Sequence, residues 1–74
     1  MISSIKVGMK VSYRTSFGHG LPATATIEHI EICEPGQKEG GESVQEASGS
    51  VLDRCVVDLD NGSWAYAHQI DSEA

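Results

Sequence analysis

The stretch Cys55-Val56-Val57-Asp58-Leu59-Asp60-Asn61-Gly62-Ser63-Trp64-Ala65-Tyr66 decides the fold. It sets two strand-like runs on either side of Asn61-Gly62. Asn-Gly between such runs is a strong hairpin signal, because both residues tolerate the positive φ of a type I′ turn. A two-residue loop at Asn61-Gly62 sets Leu59 opposite Trp64 and Val57 opposite Tyr66. Trp64 and Tyr66 are then expected on the core side of a strand over residues 63–67, and Val57 and Leu59 on the core side of a strand over residues 51–59.

Working outward, the same rhythm continues. Residues 9–15 alternate Met9, Val11 and Tyr13 with Lys10, Ser12 and Arg14, behind a Gly8 that lets the chain turn in. Residues 16–22 hold two glycines and a proline, the composition of a loop. In residues 23–33, Ala23, Ala25 and Ile27 hold one phase and Ile30 and Ile32 the other. The switch near Glu28-His29 predicts a β-bulge or sharp bend. No stretch has the 3.6-residue apolar period of a helix. After residue 67, Ile70 is expected to reach back and plug the end of the core, and residues 72–74 to fray.

Residues 34–50 are different material, rich in Gly, Ser and Glu with only Val44 and Ala47 apolar. They are expected to form a long, acidic, flexible loop within a single domain spanning residues 1–74. A chain of 74 residues buries only about 60% of its unfolded surface. Short strands in so small a body must curl to hide both edges and core. The expectation is an all-β fold, a small five-stranded SH3-like barrel with a long acidic hairpin insert.

Eleven acids against five bases give a net charge of −6. That argues against phosphate-backbone binding as the main role, which needs clustered Lys and Arg. Four acids and one base fall in residues 34–50, so half of the net charge sits on that segment. No apolar run approaches the ~20 residues of a membrane span, and no secretory signal is read at the start. With two cysteines, too few for a disulfide-stapled miniprotein, the reading is a reduced, cytoplasmic protein without membrane contact.

No constellation for catalysis emerges. There is no G-x-S-x-G elbow, and Gly18-His19-Gly20 lacks the Lys and the helix of a phosphate loop. His19, His29, His68, Cys33 and Cys55 have no C-x-x-C or H-x-x-x-H spacing, so each ligand would have to come from a separate element. A disulfide needs Cys33 opposite Cys55. Apolar pairing favours the neighbouring register, with Ile32 against Val57 and Ile30 against Leu59, which puts the two thiols on opposite faces. The expectation is a non-enzymatic chain without metal or cofactor.

Val7-Gly8-x-Lys10-Val11-x-Tyr13, then Pro22-Ala23-Thr24-Ala25-x-Ile27-x-x-Ile30, resembles the opening of a Tudor-type barrel. Val56-Val57-Asp58-Leu59-Asp60-Asn61-Gly62, closing on Ile70, resembles its second half. KOW and other SH3-like modules share this rhythm. The resemblance covers about residues 6–71 without the 34–50 insert. Tudor modules hold methylated Lys or Arg in an aromatic cage through cation–π attraction. Tyr13 stands where that pattern is commonly aromatic, but Leu21 replaces another such position and Leu59-Asp60 precede Asn61-Gly62 without an aromatic. KOW-type barrels imply nucleic-acid machinery, for which Lys6, Lys10, Arg14 and Arg54 are the available cations.

The functional expectation is a binding or adaptor module that recognises a protein or peptide through a groove beside residues 16–22. Tyr13 and Phe17 are the better surface aromatics. Tyr13, Phe17 and Trp64 are assigned as apolar contacts, and Asp58 and Asp60 as negative charge for a basic ligand. A KOW-type nucleic-acid accessory role and self-association through an open strand edge are the alternatives, the chain being a monomer or weak homo-oligomer.

Overall fold

The computed structural model describes residues 2–16, 19–33 and 41–74. The fold is all-β. The elements are β1 (Ser4–Lys6), β2 (Lys10–Arg14), β3 (Pro22–Ile32), β4 (Glu42–Val44), β5 (Glu46–Ser48), β6 (Cys55–Leu59), β7 (Trp64–Tyr66) and β8 (Ile70–Glu73), with 3₁₀ turns at Gly49–Arg54 and Ala67–Gln69. One sheet runs in the order β7-β6-β3-β2-β8, with β4 also paired to β3; β1 and β5 form a separate ribbon. The sheet is not closed into a barrel: β7 and β8 end its path at opposite sides. Among the described residues, no helix is long and apolar enough to cross a membrane.

β3 is the axis of the molecule. Its first half pairs with β2, from Lys10↔Thr26 to Arg14↔Pro22. Its second half pairs with β6, with Ile30↔Val57 and Ile32↔Cys55, and on its other side with β4, with Ile30↔Val44. The expected phase switch is present as a register shift between Ile27 and His29. The extra residue lets both Ile27 and Ile30 turn inward, at 1% and 0% exposure, because a bulge reverses the alternation of faces. It also moves the pairing away from the expected one: Ile30 meets Val57, not Leu59, and Ile32 meets Cys55, not Val57.

The β6–β7 hairpin corrects a second expectation. Leu59 N–H donates to Ser63 O at 2.9 Å, and Gly62 N–H to Leu59 O at 3.2 Å. The loop is therefore Asp60-Asn61-Gly62, a three-residue turn with Gly62 at φ 85° and no positive φ at Asn61, not a two-residue type I′ turn. Tertiary contacts select it. Asp60 N–H donates to Thr26 O at 2.9 Å, and Asp60 Oδ1 accepts from Thr26 N–H at 3.0 Å. Asn61 Oδ1 accepts from Ser63 N–H, and Asn61 Nδ2 donates to the Tyr13 hydroxyl, both at 3.0 Å.

One extra loop residue slips the register by one and exchanges the faces of β7. Val57 now faces Ala65, and Asp58 faces Trp64. Ala65 is buried, while Trp64 and Tyr66 are half-buried on the outer face. The core is accordingly aliphatic, built from Ile5, Val11, Ile27, Ile30, Val57 and Ile70, with Tyr13 its one large ring among the described residues. Gly62→Ala is expected to lower stability by about 1–2 kcal/mol, the cost of a β-carbon in left-handed backbone. A urea midpoint unchanged by the substitution would contradict this turn.

Within the 34–50 insert, residues 34–40 lie outside the described set, Glu42–Val44 and Glu46–Ser48 are paired strands, and Gly49 and Ser50 open the 3₁₀ turn. β4 extends the sheet at Ile30–Ile32, and β5 pairs with β1 through Ile5↔Ala47. Ile5 and Ala47 join the core, which is what fastens this polar segment. Residues 51–54, expected as strand, form part of the 3₁₀ turn and bury Leu52. Ile70 is 1% exposed, as expected. The chain end does not fray: Ser72 and Glu73 pair with β2, and Ala74 N–H donates to Lys10 O at 2.8 Å.

Candidate functional site

Where β2 ends, the hairpin base and the Ala67–Gln69 turn come together around a cavity of about 160 Å³ lined by Tyr13, Thr15, Ser16, Ser63, Trp64 and Gln69. Each wall has a local cause. Thr15 N–H and Oγ1 both donate to Leu21 O, and Gly20 N–H donates to Thr15 O at 2.8 Å. These bonds hold Gly20 and Leu21 against Thr15. A β-carbon at Gly20 would collide with the Thr15 side chain and carbonyl, so glycine is required there. Ser16 has φ 52°, left-handed backbone at the cavity rim. Leu21, on the same loop, is 81% exposed, the one large apolar side chain so exposed among the described residues.

Gln69 is the wall that residue patterns did not single out. It is a buried polar side chain, at 5% exposure. Its Oε1 accepts from Tyr66 N–H at 2.9 Å, and its Nε2 donates to Arg14 O at 2.8 Å. It therefore ties the turn before β8 to the end of β2. A buried amide that keeps both partners is a rigid element. One proton on Nε2 and one lone pair on Oε1 remain available for a ligand.

The assigned contact residues fall in three places. Tyr13 and Trp64 meet at the cavity, but with exchanged roles. Tyr13, expected at the surface, is 3% exposed and belongs to the core, because strand alternation turns it inward with Val11. Trp64, expected chiefly in the core, is half-exposed because of the hairpin slip. Phe17 lies outside the described residues. Asp58 and Asp60 do not line the cavity. Asp60 is engaged with the Thr26 backbone, and Asp58 stands on the outer sheet face, 3.2 Å from His29 Nδ1.

That outer face carries side chains that reading by segments could not group. Trp64 and Tyr66 meet edge to face with centroids 5.1 Å apart, and Tyr66 stacks on His68 at 5.4 Å. Beside them, His29, Glu31 and Asp58 converge. Cys33 and Cys55 are both buried. Burial pushes the Cys55 thiol pKa up, the neighbouring Cys33 adds to the rise, and Arg54 opposes it. A thiol so shifted carries little thiolate at neutral pH and is a poor nucleophile. The cations Lys6, Lys10, Arg14 and Arg54 stand on β1, β2 and the end of the Gly49–Arg54 turn, and Arg14 Nε lies 3.8 Å from Asp71 Oδ2.

Among the described residues, none of the side chains lining the cavity is a carboxylate, imidazole, thiol or amine. What the arrangement offers is shape, an indole wall and a few hydrogen-bonding groups. Comparison of the chain with known protein families, with curated proteins and with solved structures finds no significant match.

Proposed function

We propose that this chain is a small, non-enzymatic binding module of SH3-like type that takes one side chain of a protein or peptide partner in the cavity between Tyr13 and Trp64. The cavity carries the reading. At about 160 Å³ it falls below the ~300–1,000 Å³ of small-molecule and cofactor sites. It suits a single anchoring side chain. Trp64 supplies the large, rigid wall typical of interface hot spots. Leu21, exposed and bonded to the cavity residue Thr15, offers further apolar surface. The net charge of −6 favours a partner with basic residues flanking the anchor, by steering its approach.

The test is a selection from a random peptide library biased toward Lys and Arg, followed by amide-shift mapping. Selected peptides are expected to move the resonances of Thr15, Ser63, Trp64 and Gln69. Trp64→Ala, a change on the outer face, is expected to weaken them about 30-fold, equivalent to about 2 kcal/mol, while leaving the circular dichroism unchanged. Peptides that bind the Trp64→Ala chain as well as wild type, or that shift only residues far from the cavity, would overturn the proposal.

A further inference from the structure

We propose that His29, Glu31 and Asp58 form a binding site for a divalent transition-metal ion of the zinc class, with His29 Nδ1, Glu31 Oε1 and Asp58 Oδ2 as ligands and water completing the shell. This goes beyond the peptide cavity: the group shares the outer sheet face with Trp64, but none of its three residues lines the cavity.

The strand geometry assembles the group. His29 and Glu31 are two apart on β3 and project from the same face. The register sets Asp58 of β6 directly opposite His29. The shift between Ile27 and His29 allows this: Ile27 and Ile30 both stay in the core while His29 turns outward. His29 Nδ1 lies 3.2 Å from Asp58 Oδ2 and 3.5 Å from Glu31 Oε1, and ligand atoms of all three residues lie within 4.8 Å of one another. In a tetrahedral zinc site with bonds of about 2.0–2.1 Å, neighbouring ligand atoms are about 3.3 Å apart. The two separations from His29 Nδ1 match that edge before any ion is placed, and the two carboxylates need only close in from within 4.8 Å of one another.

The far side of two of the ligands is also held. His29 Nε2 is 2.8 Å from Ser43 Oγ on β4. Binding the ion at Nδ1 puts the ring proton on Nε2, where Ser43 Oγ is placed to accept it. Glu31 Oε2 accepts from Gly41 N–H at 3.4 Å, leaving Oε1 for the ion. A β-carbon at Gly41 would strike the Ile32 carbonyl, so this backbone donor depends on glycine. One imidazole and two carboxylates suit zinc and its neighbours. Calcium and magnesium take six or more oxygen ligands. A dication also cancels the two carboxylate charges on a chain of net charge −6.

The experiment titrates Zn²⁺ into the untagged, metal-stripped full chain by calorimetry against a competing chelator, with Co²⁺ absorption as a second readout. One-to-one saturation and the intense visible bands of tetrahedral Co²⁺ are expected. His29→Gln and Asp58→Asn, both on the outer face, are each expected to weaken binding at least about tenfold with the circular dichroism unchanged. His19→Gln and His68→Gln should bind as wild type does. Ser43→Ala, a positioning change, should weaken Zn²⁺ binding and broaden the Co²⁺ bands. Three outcomes overturn the assignment: no saturable Zn²⁺ binding to wild type, undiminished binding to His29→Gln, or equal competition by Mg²⁺. The Trp64→Ala chain should still bind the metal, so failure of the peptide reading and failure of this one are separable.

Discussion

Ile30→Ala is expected to remove about 2–5 kcal/mol of stability. Ile30 is 0% exposed and stands where β3 is flanked on both sides, opposite Val57 on β6 and Val44 on β4. Truncation deletes apolar contacts on two strand interfaces and leaves a cavity that hydrogen-bonded backbones cannot collapse to fill. A domain of 74 residues has about 4–11 kcal/mol in total, so the variant should be marginally folded at 37 °C. Ile30→Val should lose only about 0.5–1.5 kcal/mol. The same truncation at the half-buried Ile32 should lose less than at Ile30. Urea unfolding at constant m-value reads all three. A loss below about 1 kcal/mol for Ile30→Ala would contradict the central position of this residue.

Gln69→Ala is expected to destabilise by about 2–4 kcal/mol. It takes the partner from two part-buried backbone groups, Tyr66 N–H and Arg14 C=O, and an unsatisfied buried group costs about 1–3 kcal/mol; water entering the space left behind offsets part of the sum. Gln69→Glu gives a sharper reading, because it keeps the shape. The carboxylate still accepts from Tyr66 N–H, but its second oxygen faces the Arg14 carbonyl where Nε2 had donated. Burial and that contact disfavour the charged form, so the introduced carboxyl titrates above its unfolded value in the folded chain. Its destabilisation is then small at pH below the unfolded value and grows as pH rises from there toward the folded value, levelling off above it. Stability of the Gln69→Glu chain that falls less with rising pH than that of wild type would show that Gln69 Nε2 does not hold Arg14.

Much of the architecture was legible in local pattern. The alternation of Val11 and Tyr13 placed β2. The change of phase at Glu28-His29 placed the bulge in β3. Asn61-Gly62 placed the hairpin, and Ile70 the inward turn before the last strand. These are short-range signals, because strand periodicity and turn chemistry depend on a few neighbouring residues. β1, β4 and β5 left no such trace. Ser4–Lys6 and Glu46–Ser48 are three-residue strands, too short for a period to emerge. What makes them strands is one apolar pair, Ile5 and Ala47, brought together across more than forty residues of chain.

The candidate sites were legible only in part. Tyr13 and Trp64 do meet at one cavity, but Tyr13 reaches it from the core and Trp64 from the outer face. Gln69 was missed because an amide three residues past a strand has no signature of its own; its role exists only when β2 arrives to accept its bond. The His29–Glu31–Asp58 group leaves no signature in His and Cys spacing. His29 and Glu31 at alternate strand positions were the available clue, but Asp58 is supplied by register.

The amino-acid sequence by itself determined that this chain is all-β, where its longest strand bends, and that Val57, Leu59 and Ile70 turn inward. Those follow from side-chain periodicity and from the φ preferences of Gly and Asn, which act within a turn or a strand. Only the tertiary structure decided which face of β7 looks inward. The Asn61–Tyr13 and Asp60–Thr26 bonds lengthen the hairpin loop by one residue, and in a strand of period two a single residue exchanges inside for outside. That slip puts Ala65 in the core and Trp64 and Tyr66 on the surface.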